Sequence, residues 1–358
     1  MTTPSAFIIA AAKEQDDVGS LKHILALESK LLQSGVTPKT LVIEPLEADW
    51  NSPEKEYSYR SGCAPIEALA AAKKLIENGE AAVVIRGEDN IRTGYSRENR
   101  LKKMAVYGQA YPLTQAYTDL ANTFCKNNSI TAEQFKTFAS ALFKNYQVSF
   151  RASLPDTFTP ELLPESRWYN LITDLFRGVD CANPMVDFSG RLLLTRADIA
   201  EKLGVNKNQW LKVKAVGLSR LEGDGQEFLD DIARYEHLQQ AYQQACNEAK
   251  IDFSYLFKQG DALLEAYTCY PVVPMAFLLV SGLVESLEDI PSFLTQHSIT
   301  ITGGMNLAKA AWNNPALNAL ILMHHRLSNG KEQLGLIHGN GGLGYRQGIA
   351  IVERVSSL

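Results

Sequence analysis

Apolar and polar positions along the chain follow two alternating rhythms. Residues 6–12 (AFIIAAA) and 40–45 (TLVIEP) are apolar runs of strand length, and residues 18–32 between them carry apolar side chains at helical spacing up to Gly35. Residues 62–78 predict a helix rich in Ala, Ile and Leu that stops at Asn78-Gly79. Residues 81–86 (AAVVIR) are too uniformly apolar for a solvent-facing strand and predict a buried one. From 91 to 184 the chain turns polar, aromatic and basic, with helices predicted at 113–127 and 131–146, the second opened by Thr131 as N-cap with Glu133 in its first turn. The alternation then resumes: strand 191–195, helix 196–203, strand 211–219, helix 229–250, strand 262–267, helices 271–283 and 308–327, and closing strands 333–338 and 348–355. Strands alternating with helices predict an α/β fold with a mostly parallel sheet and right-handed crossovers.

One internal correspondence organises this pattern. Ser61-Gly62-Cys63, a helix, Asn78-Gly79, a strand to Arg86 and Gly87 match Asn313-Asn314, a helix, Asn329-Gly330, a strand to His338 and Gly339. The interval from Cys63 to Gly79 equals that from Asn314 to Gly330. A repeat of this length, once in each half, predicts two similar halves about a pseudo-twofold axis. The expected organisation is an N-terminal half of 1–90 with 185–210, an inserted domain of 91–184, and a C-terminal half of 211–358.

Composition narrows the setting. Apolar residues make up 46% of the 358, enough for a large core, and a net charge of −5 disfavours nucleic acid as a partner. Five cysteines without a CxxC pair argue against a disulfide framework or a structural zinc site, so no metal is expected. The apolar run at 271–284 is too short to span a bilayer, and the N-terminus lacks the pattern of a signal peptide. A cytoplasmic protein without a membrane partner is expected.

Three residues are candidates for chemistry. Cys63 opens the helix after Gly62 and before Ala64-Pro65, where the helix dipole and free N–H groups lower a thiol's pKa; it is either a covalent acyl acceptor or a small residue buried under a helix start. Cys269, between a strand and an apolar helix, is a candidate acid or base, or core. His338 ends an apolar strand before Gly339-Asn340-Gly341-Gly342-Leu343-Gly344, a glycine cluster that lets backbone donors approach a developing oxyanion. The basic stretch Arg92, Arg97, Arg100, Lys102 and Lys103 is a solvated face or a landing patch for a phosphorylated carrier such as coenzyme A.

These features together resemble the thiolase superfamily, in its sterol-carrier-protein-2 thiolase-like branch. Ser61–Ala64 with Ile85–Asn90, Gly178–Pro184 (GVDCANP) with the strand at 191–195, Tyr267-Thr268-Cys269-Tyr270, Ile301–Leu320 (ITGGMNLAKAAWNNPALNAL) and Gly335–Gly342 (GLIHGNGG) carry the resemblance. It implies a five-layered αβαβα fold, usually a homodimer, with a loop domain that binds coenzyme A over the active site. It also implies an acyltransferase acting on acyl-CoA thioesters. Cys63 takes the acyl group and Cys269 and His338 move protons, with carbon–carbon bond formation or cleavage to follow. Gly303, Gly304, Asn340, Gly341 and Gly342, with Arg97 and Lys102 of the basic stretch, are the residues expected to hold the CoA ester. The chain departs from the family where a Gly-His-Pro histidine belongs, near Ala310, and has Tyr267 and Thr268 where the branch has His and Asp. Two alternatives follow from that: a retro-aldol lyase of the same fold using Tyr267 or Tyr345, and a non-catalytic CoA-ester-binding subunit supporting a small partner protein.

Overall fold

The computed structural model describes residues 4–50, 52–153 and 164–355. Ten strands form one mixed sheet: β1 (Phe7–Gln15), β2 (Val18–Gly19), β3 (Lys39–Ile43), β4 (Ser58–Tyr59), β5 (Ala82–Asn90), β6 (Asp187–Thr195), β7 (Leu211–Arg220), β8 (Ala262–Glu265), β9 (Leu334–Gly341) and β10 (Arg346–Arg354). Their order is β4-β3-β5-β6-β1-β7-β10-β9-β8, with β2 paired to β1. The first half runs α1 (Lys22–Gln33), α2 (Ala64–Glu77), α3 (Arg97–Met104), α4 (Leu113–Asn127), α5 (Ala132–Ser153) and α6 (Ala197–Lys202). The second half runs α7 (Leu229–Ile232), α8 (Glu236–Ala249), α9 (Phe253–Gln259), α10 (Val272–Val280), α11 (Ile290–Gln296), α12 (Gly304–Leu307) and α13 (Pro315–Asn329).

The repeat predicted from sequence is present in the pairing. β3 runs parallel to β5, and β5 and β6 then pair antiparallel in turn with β6 and β1. Likewise β8 runs parallel to β9, and β9 and β10 pair antiparallel with β10 and β7. The halves meet where Phe7 and Ile8 of β1 pair with Lys212 and Leu211 of β7.

Alternation along the strands then builds the layers. Ile8, Leu41, Ile43, Val83, Ile85, Leu192 and Leu194 from the first half share one core with Leu211, Val213, Ile337, Ala350 and Val352 from the second. Between them lie the buried faces of α2 and α13. The opposite faces of the strands bury separately, Ile9, Ala12 and Val84 against α1 and α6, and Leu336, Ile349 and Ile351 with α4, α5, α8 and α10. Helix, sheet, helix pair, sheet and helix give the five-layered αβαβα arrangement. Such two-sided burial explains why α2 and α13 bury apolar residues on more than one face, with their charged residues mostly toward the C-terminal ends.

The sheet is mixed rather than mostly parallel, since among the described strands only β3–β4, β3–β5 and β8–β9 pair parallel, and four elements also differ from the sequence reading. Residues 18–19 form a hairpin strand rather than helix, because Asp16 and Asp17 both take positive φ (50° and 66°) and make a primed two-residue turn without glycine. The helix predicted over 229–250 breaks at Tyr235 (φ 52°), whose buried ring meets Phe124 edge-on. Residues 308–314 do not join α13, since Lys309 and Trp312 have positive φ and Pro315 starts the helix anew. β9 runs on to Gly341, with Gly339 opposite Gly348 and Gly341 opposite Arg346, so His338 lies inside a paired strand and not at its end. No described helix is long and apolar enough to cross a membrane.

Glu265 closes β8 and ties it to the following layer. Its carboxylate accepts from the N–H groups of Ile301 (2.7 Å) and Thr302 (3.0 Å) and from the Thr302 hydroxyl (2.5 Å). Burial nevertheless outweighs these three donors and pushes its pKa up to about 7. Between the ordinary glutamate range and that value the folded state holds a proton the unfolded chain has released, so stability falls as pH rises through this window. The loss attributable to Glu265 is roughly 3 kcal/mol at full ionisation. Glu265→Gln should flatten the decline, which urea midpoints measured from pH 4.5 to 8 in both proteins will register.

Candidate active site

The site is built where α2, β9 and the strand-to-helix junction at 266–271 converge beneath α3 and α4. Ser61 has φ 98° and turns the chain into α2, held by its N–H donating to Asn313 Oδ1 (3.0 Å). Gly62 follows without a side chain because the Tyr267 phenol and the Asn340 carbonyl oxygen lie where a Cβ would project. Above them is a cavity of about 680 Å³. Its floor holds Gly62, Tyr117, Tyr267, Cys269, Tyr270, Asn340 and Gly342. Trp50, Met104, Pro184, Ala310 and Trp312 make an apolar wall, and Glu98 and Lys102 stand at the rim on α3. Trp50 and Trp312 pack 5.3 Å apart, and the Trp50 indole N–H is fixed by Asn313 Oδ1 (3.1 Å).

Floor groups are mutually bonded. Tyr117 donates to Gly342 O (2.7 Å), and its oxygen accepts from the Cys269 thiol (3.4 Å) and from Asn340 Nδ2 (3.3 Å). The Tyr117 and Tyr270 rings stack 4.0 Å apart. Burial pushes the Cys269 thiol up to about 12, and raises Tyr117, Tyr267 and Tyr270 well above the usual phenol range. The floor is therefore protonated and neutral at physiological pH. Tyr267, 6% exposed, lines the cavity, and its phenol has no hydrogen-bond partner among the described residues.

Two sequence candidates lie elsewhere. Cys63 is 0% exposed and is not among the cavity's lining residues; its sulfur faces β10, where a Cβ on Gly348 would lie 2.8 Å from it and from Ile66 Cγ2. The expected lowering of its pKa at the helix start is overturned, because burial, reinforced by the nearby Glu67 carboxylate, holds the thiol well above its ordinary value. His338, 1% exposed, stacks on Phe277 (5.0 Å) behind the floor, and burial lowers its pKa to about 4.

The binding candidates divide likewise. Asn340, Gly342 and Lys102 line the cavity. Gly341 is a β9 residue packed against Ser61, and Gly303 packs against Phe150. Gly304 borders a separate void of about 10 Å³ behind Tyr267, and Arg97 is exposed on α3 away from the lining. Of the two tyrosines weighed for lyase chemistry, Tyr267 reaches the cavity and Tyr345 does not; Tyr345 bonds instead to Arg346 Nε (2.7 Å).

Sequence reasoning missed Tyr117, Trp50 and Gln347. A tyrosine inside the buried stripe of an amphipathic helix, as Tyr117 is on α4, looks like ordinary core, and only the stacking and hydrogen bonds distinguish it.

No family model matches the chain, and no curated protein matches it. Solved structures do. A monomeric SCP2-thiolase-like protein type 1 from Mycobacterium smegmatis superposes with a TM-score of 0.69 at 17% identity, over 100% of this chain and 79% of that one. The Ltp2-ChsH2(DUF35) aldolase superposes with a TM-score of 0.64 at 14% identity, over 99% of each chain. With its paired halves and sandwiched α2 and α13, the chain has the thiolase-type fold of the SCP2-thiolase-like proteins.

Proposed function

We propose that the protein is a carbon–carbon lyase of the thiolase fold that cleaves a β-hydroxyacyl thioester by a retro-aldol step, without an acyl-enzyme. One observation carries the reading: the cavity floor presents neutral phenols and a neutral thiol, and the Cys63 sulfur is not on it. Acyl transfer needs a thiolate or a base to make one. A retro-aldol cleavage moves one proton from the β-hydroxyl to the α-carbon side, so a phenol that gives one proton while receiving another can serve it.

In this reading Tyr267 Oη relays protons in one concerted step, taking the β-hydroxyl proton as it gives up its own, while the O–H electron pair forms the new carbonyl. The bond between the α and β carbons breaks and its electron pair passes into the thioester enolate. The phenol's own proton passes to the developing enolate in that same step, so the phenol oxygen never carries two protons. The products are a ketone or aldehyde and a shortened thioester, and Tyr267 is restored. Asn340 Nδ2, with a hydrogen beyond the one it gives Tyr117, is the donor beside the transient enolate, and the Cys269 thiol adds a neutral polar contact. The likeness in fold and length to an aldolase supports the same reaction class, and its pairing of two proteins supports a small partner protein here. Lys102 at the rim suits an anionic carrier such as coenzyme A.

The test is incubation with β-hydroxyacyl-CoA esters bearing apolar β-substituents, with ketone and shortened CoA ester followed by mass spectrometry. Cys63→Ala should keep turnover within about threefold, and intact-mass spectra should show no acyl adduct on Cys63. An adduct there, with loss of turnover in the variant, would restore the acyltransferase. Absence of both adduct and cleavage, with or without a partner protein, would leave a non-catalytic subunit.

A further inference from the structure

We propose that Gln347 is a positioning residue that holds Asn340 as a donor toward the cavity floor and His338 in its Nε2–H form. Its kinetic consequence rests on the lyase reading above; its spectroscopic consequence does not. Gln347 is 1% exposed on β10, directly opposite Asn340 of β9, and its side chain lies between Asn340 and His338.

The directions follow from one fixed point. Gln347 Nε2 lies 2.8 Å from the backbone carbonyl of Gly344, an atom that can only accept. The amide therefore places its NH2 on that side and donates its other hydrogen to Asn340 Oδ1 (2.7 Å). Its Oε1 then faces His338 Nε2 at 2.7 Å, so neutral His338 must carry its proton on Nε2. The bare Nδ1 accepts the Tyr267 backbone N–H at 3.4 Å, next to the phenol at the floor. With Oδ1 committed to Gln347, Asn340 can only turn Nδ2 toward Tyr117. Tyr117, already donating to Gly342 O, can only accept from Asn340 and from Cys269. A single amide behind the floor, bonded to the lining residue Asn340 and to His338, thus agrees with the Gly342 carbonyl and the Tyr267 N–H in holding Asn340 as a donor to the floor and His338 as an acceptor for the Tyr267 backbone.

Replacing that amide reverses the pattern. In Gln347→Glu a carboxylate meets the carbonyls of Gly344 and Asn340; Asn340 turns over to donate to it and presents Oδ1 to Tyr117, while His338 gains an anionic neighbour. We expect kcat to fall by about 10- to 100-fold with KM changed by less than about threefold, as befits a lost transition-state donor. Gln347→Met, close in shape and free of buried charge, should lose about 5- to 10-fold.

Independently of any turnover, nitrogen-15 spectra of histidine-labelled protein should show wild-type His338 as the neutral Nε2–H tautomer from pH 5 to 8. The same spectra should show that preference weakened in Gln347→Met, where only the long Tyr267 N–H contact still favours it. A wild-type Nδ1–H tautomer, or a His338 that titrates above pH 6, overturns the proposal whether or not the protein is a lyase. So does unchanged kcat in both folded variants. If the wild type cleaves no thioester while the tautomer behaves as stated, the lyase reading falls and the positioning role stands.

Discussion

Tyr267→Phe should lower kcat for thioester cleavage by about 100- to 1,000-fold while KM stays within about threefold. The phenol oxygen has no hydrogen-bond partner among the described residues, yet it lines the cavity at the point where the chain leaves β8 for the apolar α10. A hydroxyl that opens on a cavity and holds no protein partner contributes little to stability. The Phe variant should therefore unfold at the same urea concentration as the wild type, or at a slightly higher one. This combination, large in rate and nil or positive in stability, is what separates a reacting group from a structural one. If Tyr267→Phe keeps its turnover, the proton exchange assigned to the phenol does not occur. If it loses turnover and stability together, the hydroxyl is holding the site in shape.

The proposed step has a pH signature in the wild type. Burial holds the Tyr267 phenol well above the usual tyrosine range, and Cys269 reaches about 12. No group on the floor changes charge between pH 6 and 9, so kcat should be flat across that interval apart from the contribution of rim residues.

How far the sequence carried can be judged residue by residue. The pseudo-twofold repeat was legible because it fixes period as well as composition: a helix, an Asn-Gly stop and a buried strand recur at the same interval, and α2–β5 and α13–β9 occupy matching places in the sheet. Cys63 at the start of α2 was legible as a position. Its state was not, because the local signal, a helix N-terminus, favours the thiolate, while the opposing cost comes from strands far along the chain. β10 closes over the sulfur with Gly348, and α13 packs against α2 from the other half. Desolvation of a fully buried thiol outweighs the dipole of one helix end.

The glycine run after His338 misled in a related way. Four glycines suggested a ligand-facing turn, but Gly339 and Gly341 are small because Ile66 and Ser61 press on the β9 backbone. Only from Gly342 onward does the chain turn, and there Gly342 offers its carbonyl to Tyr117. Tyr117 and Gln347 were illegible for a simpler reason. Their roles lie in partners 223 to 225 residues away for Tyr117 and in a cross-strand contact for Gln347, and neither sits in a local pattern.

Gly62→Ala should abolish the site from the opposite side and lower stability by about 1–3 kcal/mol, the ordinary cost of overpacking a core. The added methyl falls on the Tyr267 phenol oxygen and on the Asn340 backbone oxygen, with Tyr267 Cζ 2.6 Å away. Asn340 yields little, since its stretch of β9 is paired to β10 opposite Gln347 and its side chain is bonded to Gln347 and Tyr117. The phenol must move instead, and the only open space is the cavity, so turnover should fall at least as far as in Tyr267→Phe. Combining the two changes tests the mechanism directly. Removing the phenol oxygen relieves the worst of the collision, so Gly62→Ala/Tyr267→Phe should be more stable than Gly62→Ala by about 1 kcal/mol. Its turnover should be no lower. Urea unfolding of the four proteins in the cycle reads the coupling. Strict additivity would mean that Gly62 and Tyr267 do not press on each other, and the cavity floor as described could not be correct.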